Sequence, residues 1–101
     1  MANPPTLKQL KYLCAVAELK HFSQAAKSCF VSQSTLSAGI SELEQSLGVT
    51  LIDRSQKQVS LTAIGREVRE RAASILTEAD DLVAVAESAH EPFSTEMRLG
   101  V

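Results

Sequence analysis

The chain has no uninterrupted apolar run of 18 or more residues, the length a helix needs to cross a bilayer. Its beginning, MANPPTLKQLKYL, lacks the basic flank, apolar centre and small-residue cleavage site of a secretory leader. Together these absences argue against a membrane helix and an exported protein, and set the cytoplasm as the expected compartment. Cysteine is scarce: Cys14 and Cys29 permit at most one disulfide, form no CxxC pair, and sit among apolar neighbours. In a reducing compartment both are read as small buried hydrophobes. The two histidines, His21 and His90, are far apart and accompany no ligand cluster, so neither a metal nor a cofactor is expected. No glycine-rich phosphate loop is present, and no stretch brings nucleophile, base and orienting group together, so the chain is not read as an enzyme.

Positive charge is also missing where it would be informative. No Lys or Arg occurs between Lys27 and Arg54. The formal net charge is −2, yet it divides unevenly. Residues 1–65 hold six bases (Lys8, Lys11, Lys20, Lys27, Arg54, Lys57) against four acids, a balance of +2, whereas residues 66–101 hold four arginines against eight acids, a balance of −4. A mildly basic head on an acidic stalk permits nucleic-acid contact at one end. With 101 residues, 45% of them hydrophobic and 22% charged, the chain suits one small folded domain with a single core.

The hydrophobic periodicity predicts a first helix over about 7–20, where Leu7, Leu10, Leu13, Cys14 and Ala17 recur at helical spacing after the extended NPP and a capping Thr6. Ser23 reads as the N-cap of a short second helix, SQAAKSC, followed by an apolar turn at Phe30 and Val31. Ser32 caps a third helix over about 33–47, with Leu36, Ile40, Leu43 and Leu47 on its apolar face and Gly48 as its stop. Two short helices with a tight turn between them have the layout of a helix-turn-helix. VTLIDR and QVSLT, around the polar SQK, then predict a two-stranded hairpin at about 49–54 and 58–62, a wing.

Thr62 caps a last helix over about 63–89. Val68, Ala72, Ile75, Ala79, Leu82, Ala86 and Ala89 alternate along it at spacings of 4 and 3, the seam of a helix that pairs with another helix. The other reading is that this seam packs on the chain's own core. A helix of about 27 residues is roughly 40 Å long, more than residues 1–62 can cover, so pairing with a second copy is the expectation. EPFSTEMRLGV leaves the helix at Pro92 and reads as the start of a further domain. The fold class is therefore mainly α: a winged helix-turn-helix of three helices and a two-stranded wing (1–62), a long dimerisation helix (63–90), and the first residues of another domain (91–101).

FSQAAKSCFVSQSTLSAGISELEQSLGVTLIDR, followed by LTAIG, closely resembles the N-terminal domain of LysR-type transcriptional regulators, over residues 6 to about 90. Within that family ELKHFSQAAKSCFVSQSTLS is most similar to the peroxide-sensing OxyR branch. The resemblance implies a DNA-binding head, a linker helix that forms a homodimer, a tetramer and an RNA polymerase contact for the full-length protein, and a larger effector domain for which MRLGV would be the first strand. The branch senses peroxide through cysteines of that effector domain, so the role does not pass to Cys14 or Cys29.

Helix 33–47 devotes one face to Ser34, Ser37, Ala38 and Ser41, too small to fill a core. An α-helix enters the major groove, about 12 Å wide, only where its facing side chains are short. Gln33 can pair bidentately with adenine, and Thr35 can offer its methyl to thymine. The resemblance places these positions and Ser37 in the groove. The amides capped by Ser32 favour a phosphate, Ser23 and the wing-tip Lys57 supply supporting contacts near the minor groove or backbone, and Arg54 contacts phosphate or pairs with an acid of the linker helix. The family commonly has proline at the position of Ser34 and often arginine at that of Ala38. With no cation on this helix, one copy is expected to bind weakly and to depend on dimerisation. The competing reading is a winged-helix assembly module that dimerises through 63–89 without sequence-specific DNA binding.

Overall fold

The computed structural model describes residues 4–90. Four helices and a two-residue-by-two-residue hairpin follow in the order α1 (Leu7–Leu19), α2 (Phe22–Ser28), α3 (Gln33–Leu47), β1 (Ile52–Asp53), β2 (Ser60–Leu61) and α4 (Ala63–His90). Most of the ends are set by local chemistry. Thr6 and Gln9 form a reciprocal capping box at α1: the Thr6 hydroxyl accepts from the Gln9 amide, and the Gln9 side chain accepts from the Thr6 amide. Ser32 Oγ accepts from the Thr35 amide at the start of α3, and Gly48, at φ 71°, ends it in the left-handed conformation. Thr62 Oγ1 accepts from the Gly65 amide at the start of α4.

One expected cap is not where the sequence suggested. The N-cap position of α2 belongs to His21, with no side-chain hydrogen bond, and Ser23 lies one residue inside the helix. Phe22 explains the shift, because its ring is half-buried against the core and the chain must already be helical there to turn it inward. In the turn between α2 and α3, Phe30 adopts φ 60° and stands 94% exposed, while Val31 turns inward and packs on the core.

The core unites α1, α2 and α3 with the foot of the hairpin and the first half of α4. Leu13, Val16, Leu36, Ile40, Leu43, Leu51 and Ile52 are its largest fully buried side chains. Each such burial contributes about 1.5–3 kcal/mol before the entropy of ordering is set against it. The hairpin is shorter than its sequence pattern predicted. Ile52 faces Leu61 and Asp53 faces Ser60 in antiparallel register, and pairing stops there because Asp53 turns its carboxylate onto the amide and hydroxyl of Ser55, at 2.9 and 2.6 Å.

The long helix divides along its length. Val68, Ala72 and Leu76 face the core on the stretch where α4 packs with α1, and Ala72 is only 1% exposed. Val68 and Ala72 therefore belong to the chain's own interior, a correction to the expectation that the whole seam faces a second copy. The physical reason is the length of α1, which covers the first turns of α4 and then ends. Beyond it Ile75 is 44% and Leu82 73% exposed, Ala86 and Ala89 are exposed, and Ala79 is half-buried. No helix among the described residues is long and apolar enough to cross a membrane.

Candidate nucleic-acid interface

At 100° per residue, Ser34, Ser37, Ala38, Ser41 and Gln45 fall within an arc of about 100° on α3, opposite the buried Leu36, Ile40 and Leu43. Ser34, Ala38, Ser41 and Gln45 are exposed and Ser37 is half-buried; Gln33 is exposed at the helix start. The small-sided face expected from sequence is thus one continuous outer surface. Gln45, which the sequence reading passed over, extends it by one turn; its place four residues beyond Ser41 was the available signal.

Thr35 is exposed but sits at one edge of this surface. Its hydroxyl accepts a hydrogen bond from Ser32 Oγ at 2.9 Å, so its side chain helps build the cap, while Ser32 and Ser34 hydroxyls lie 3.2 Å apart. Ser23 is exposed in the first turn of α2, and Lys57 is exposed in the turn joining the two strands.

Arg54 pairs with an acid, but that acid is on α3 rather than on the long helix. Its guanidinium lies 3.8 Å from Glu44 Oε1 and 5.4 Å from the centroid of the Phe22 ring. The other Glu44 oxygen accepts the amides of Leu51 and Ile52 at 2.7 and 3.1 Å. Glu44 is largely covered, so this carboxylate satisfies two backbone donors that would otherwise be orphaned next to the core. The guanidinium is about half open, which limits the ion pair itself to roughly 0–1 kcal/mol. The result is a strut from α3 to the hairpin and to α2, fixing where the wing stands beside the small-sided face. Sequence reasoning missed Glu44 because an acid on a helix surface looks like any solvated charge.

Two glycines set the distances between elements. A Cβ on Gly39 would come within 2.7 Å of Cδ2 and Cε2 of Tyr12, so α1 can approach α3 this closely only with glycine there. A Cβ on Gly65 would collide with the carbonyl oxygen of Leu51, where α4 meets the start of the hairpin. Both glycines lie in helices whose conformation any residue adopts; what they supply is space.

The two cysteines are free, half-buried and packed against the core. Burial raises the Cys14 thiol above its ordinary value, against the opposing pull of the Arg69 cation. Asp53 is shifted the other way, its carboxylate stabilised by the Ser55 hydroxyl and amide. Among the described residues no group of three or more His, Cys, Asp or Glu gathers as a metal site would require.

The chain is similar to known proteins in sequence and in fold. The chain is 44% identical over 101 residues to the HTH-type transcriptional regulator EstR of Acinetobacter baylyi, covering all of this chain and 34% of that protein. It is 44% identical over 97 residues to a probable hydrogen peroxide-inducible genes activator of Streptomyces viridosporus, covering 96% of this chain and 31% of that one. The chain thus spans about a third of the length of these curated relatives. Among solved structures, a Corynebacterium glutamicum OxyR C206 mutant superposes with a TM-score of 0.86 at 37% identity, over 91% of this chain and 30% of that one. The BenM DNA-binding domain in its complex with benA site 1 DNA gives a TM-score of 0.80 at 30% identity, over 87% of this chain and 99% of that one. The family described as bacterial regulatory helix-turn-helix protein, lysR family, matches residues 7–66, and the chain belongs to that family.

Proposed function

We propose that this chain binds duplex DNA sequence-specifically as the reading head of a transcription regulator, with α3 in the major groove. Gln33, Ser34, Ser37, Ala38 and Ser41 face the base edges, Ser23 and Lys57 meet the sugar-phosphate backbone, and Arg54 holds the wing in place. The observation that carries this reading is the exposed arc of α3, whose side chains are short enough to let a helix backbone descend into a groove about 12 Å wide. Its likeness to a domain solved in complex with DNA supports the DNA-binding reading.

Residues 1–62 act in this reading as the winged head and 63–90 as the linker that pairs two copies. The exposed Ile75, Leu82, Val83 and Val85, with Ala79, Ala86 and Ala89, supply the apolar surface for that pairing. Two heads then read two half-sites, which offsets the low positive charge of each. A full-length tetramer, contact with RNA polymerase, a cytoplasmic location and a peroxide or redox signal complete the proposal. The last of these draws on the relatives named as peroxide-inducible activators and on the likeness to OxyR. The stretch 91–101, read as the start of an effector domain, lies outside the described residues.

The test is selection from a pool of random duplexes at two salt concentrations, with Gln33→Ala in parallel. A partly palindromic motif that the substitution relaxes supports α3 as the reader. Pairing of the chain without any selected sequence would overturn that role and favour an assembly module built on α4.

A further inference from the structure

The surface proposed to meet DNA carries two carboxylates on its own helix, Glu42 and Glu44, and no cation. Duplex DNA presents one negative charge per about 1.7 Å of axis, so the neutralising charge has to come from elements beside α3. The helical wheel tells which elements these are. Glu44 bounds the exposed arc on one side, and there Arg54 and the wing stand. Thr35 and Glu42 bound it on the other, and there the beginning of α1 lies alongside. Thr6, Lys8, Gln9 and Tyr12 of that segment share a groove of about 390 Å³ with Thr35, Ala38 and Glu42.

Lys8 is exposed at the edge of this groove. Its neighbour Gln9 donates from Nε2 to Glu42 Oε1 at 3.5 Å, tying that carboxylate to α1. The salt bridge found among the described residues is Arg54 with Glu44; Lys8 lies beyond ion-pair distance of Glu42 and its ammonium is free for another anion. The next lysine of α1, Lys11, borders a different groove, with Cys14, Glu18, Cys29 and Leu76.

We infer that Lys8 is a DNA phosphate contact, a second cationic bank that grips the backbone on the side of α3 opposite the wing. This rests on the DNA-binding reading above and adds a residue outside the helix-turn-helix and the wing to the interface. Lys8 sets affinity and its salt dependence, because an ammonium on a phosphate carries no base information.

The experiment measures binding of the full chain to its selected duplex by fluorescence anisotropy over a range of salt. The chain is compared with Lys8→Ala, Lys11→Ala and Glu42→Gln, and with Lys8→Ala in the Glu42→Gln background. Loss of one phosphate contact lowers the slope of log K against log salt by about 0.9, which is roughly eightfold in affinity at 0.1 M salt. Lys8→Ala is expected to show this loss in both backgrounds with the selected sequence unchanged, and Lys11→Ala to leave the slope intact. An unaltered slope in Lys8→Ala overturns the inference while leaving the DNA-binding reading standing. A loss that vanishes in the Glu42→Gln background also overturns it, since Lys8 would then act by neutralising Glu42. If the unsubstituted chain binds no duplex at all, the reading itself fails, and the inference with it.

Discussion

Glu44 Oε2 accepts the amide hydrogen of Leu51 at 2.7 Å, joining the last turns of α3 to the first residues of the wing. The amide of Ile52 shares that oxygen and Arg54 lies against the other. Glu44→Ala orphans two backbone donors beside the core and is expected to lower stability by about 1–3 kcal/mol, whereas Arg54→Ala removes a half-open ion pair and costs under about 1 kcal/mol. Urea denaturation of both variants checks the order; equal losses would mean that the ion pair, not the carboxylate's hold on the two amides, carries the strut.

Gly65 meets the backbone of Leu51, which cannot swing aside as a side chain can. Gly65→Ala is expected to push α4 off the hairpin and to destabilise by about 1–3 kcal/mol, although alanine is intrinsically the better helix residue by about 1 kcal/mol. A thermal melt that rises in the variant would show that the helix shifts without cost.

Asp53 is held below the ordinary carboxylate value by the Ser55 hydroxyl and amide. A depressed folded-state value contributes stability that is present above the unfolded value, near 3.8, and is lost as pH falls through the lower folded one. The turn at the end of β1 should therefore loosen only in acid. An NMR titration of Asp53 is expected to move up towards the ordinary value in Ser55→Ala, and no movement would assign the shift to another cause.

Phe30 combines a positive φ with near-complete exposure, so its side chain buries almost nothing to offset the strain. The left-handed conformation costs a branched or bulky residue roughly 1–2 kcal/mol and asparagine less. Phe30→Asn is expected to stabilise the isolated domain by about 1 kcal/mol in chemical denaturation. A loss instead would mean that the ring makes contacts in solution that compensate the strain.

Leu82 is 73% exposed near the far end of α4. Leu82→Glu is expected to shift sedimentation of the chain towards the monomer while leaving its helical circular dichroism in place, because no core contact is removed. An unchanged dimer would move the pairing surface off this face, and a monomer before substitution would remove the pairing proposal for this chain.

The helix-turn-helix layout, the caps at Thr6, Ser32 and Thr62, the stop at Gly48 and the short-sided face of α3 were all determined by the sequence itself. Each depends on residues within one or two turns, or on a periodicity that repeats within a single helix. Ser23 as a cap failed because burial of Phe22 outweighed the local preference for a hydroxyl at the helix start. Val68 and Ala72 went to the core, and not to a partner, because that depends on where α1 ends, which no pattern within α4 records. The acid chosen by Arg54, the approach of Tyr12 to Gly39, and the gathering of Lys8 with Thr35 and Glu42 join residues distant along the chain. Only the packing of α1, α3 and the hairpin on one core decided those, since side chains too weakly coupled to direct the fold take whatever partners the apolar contacts bring within reach.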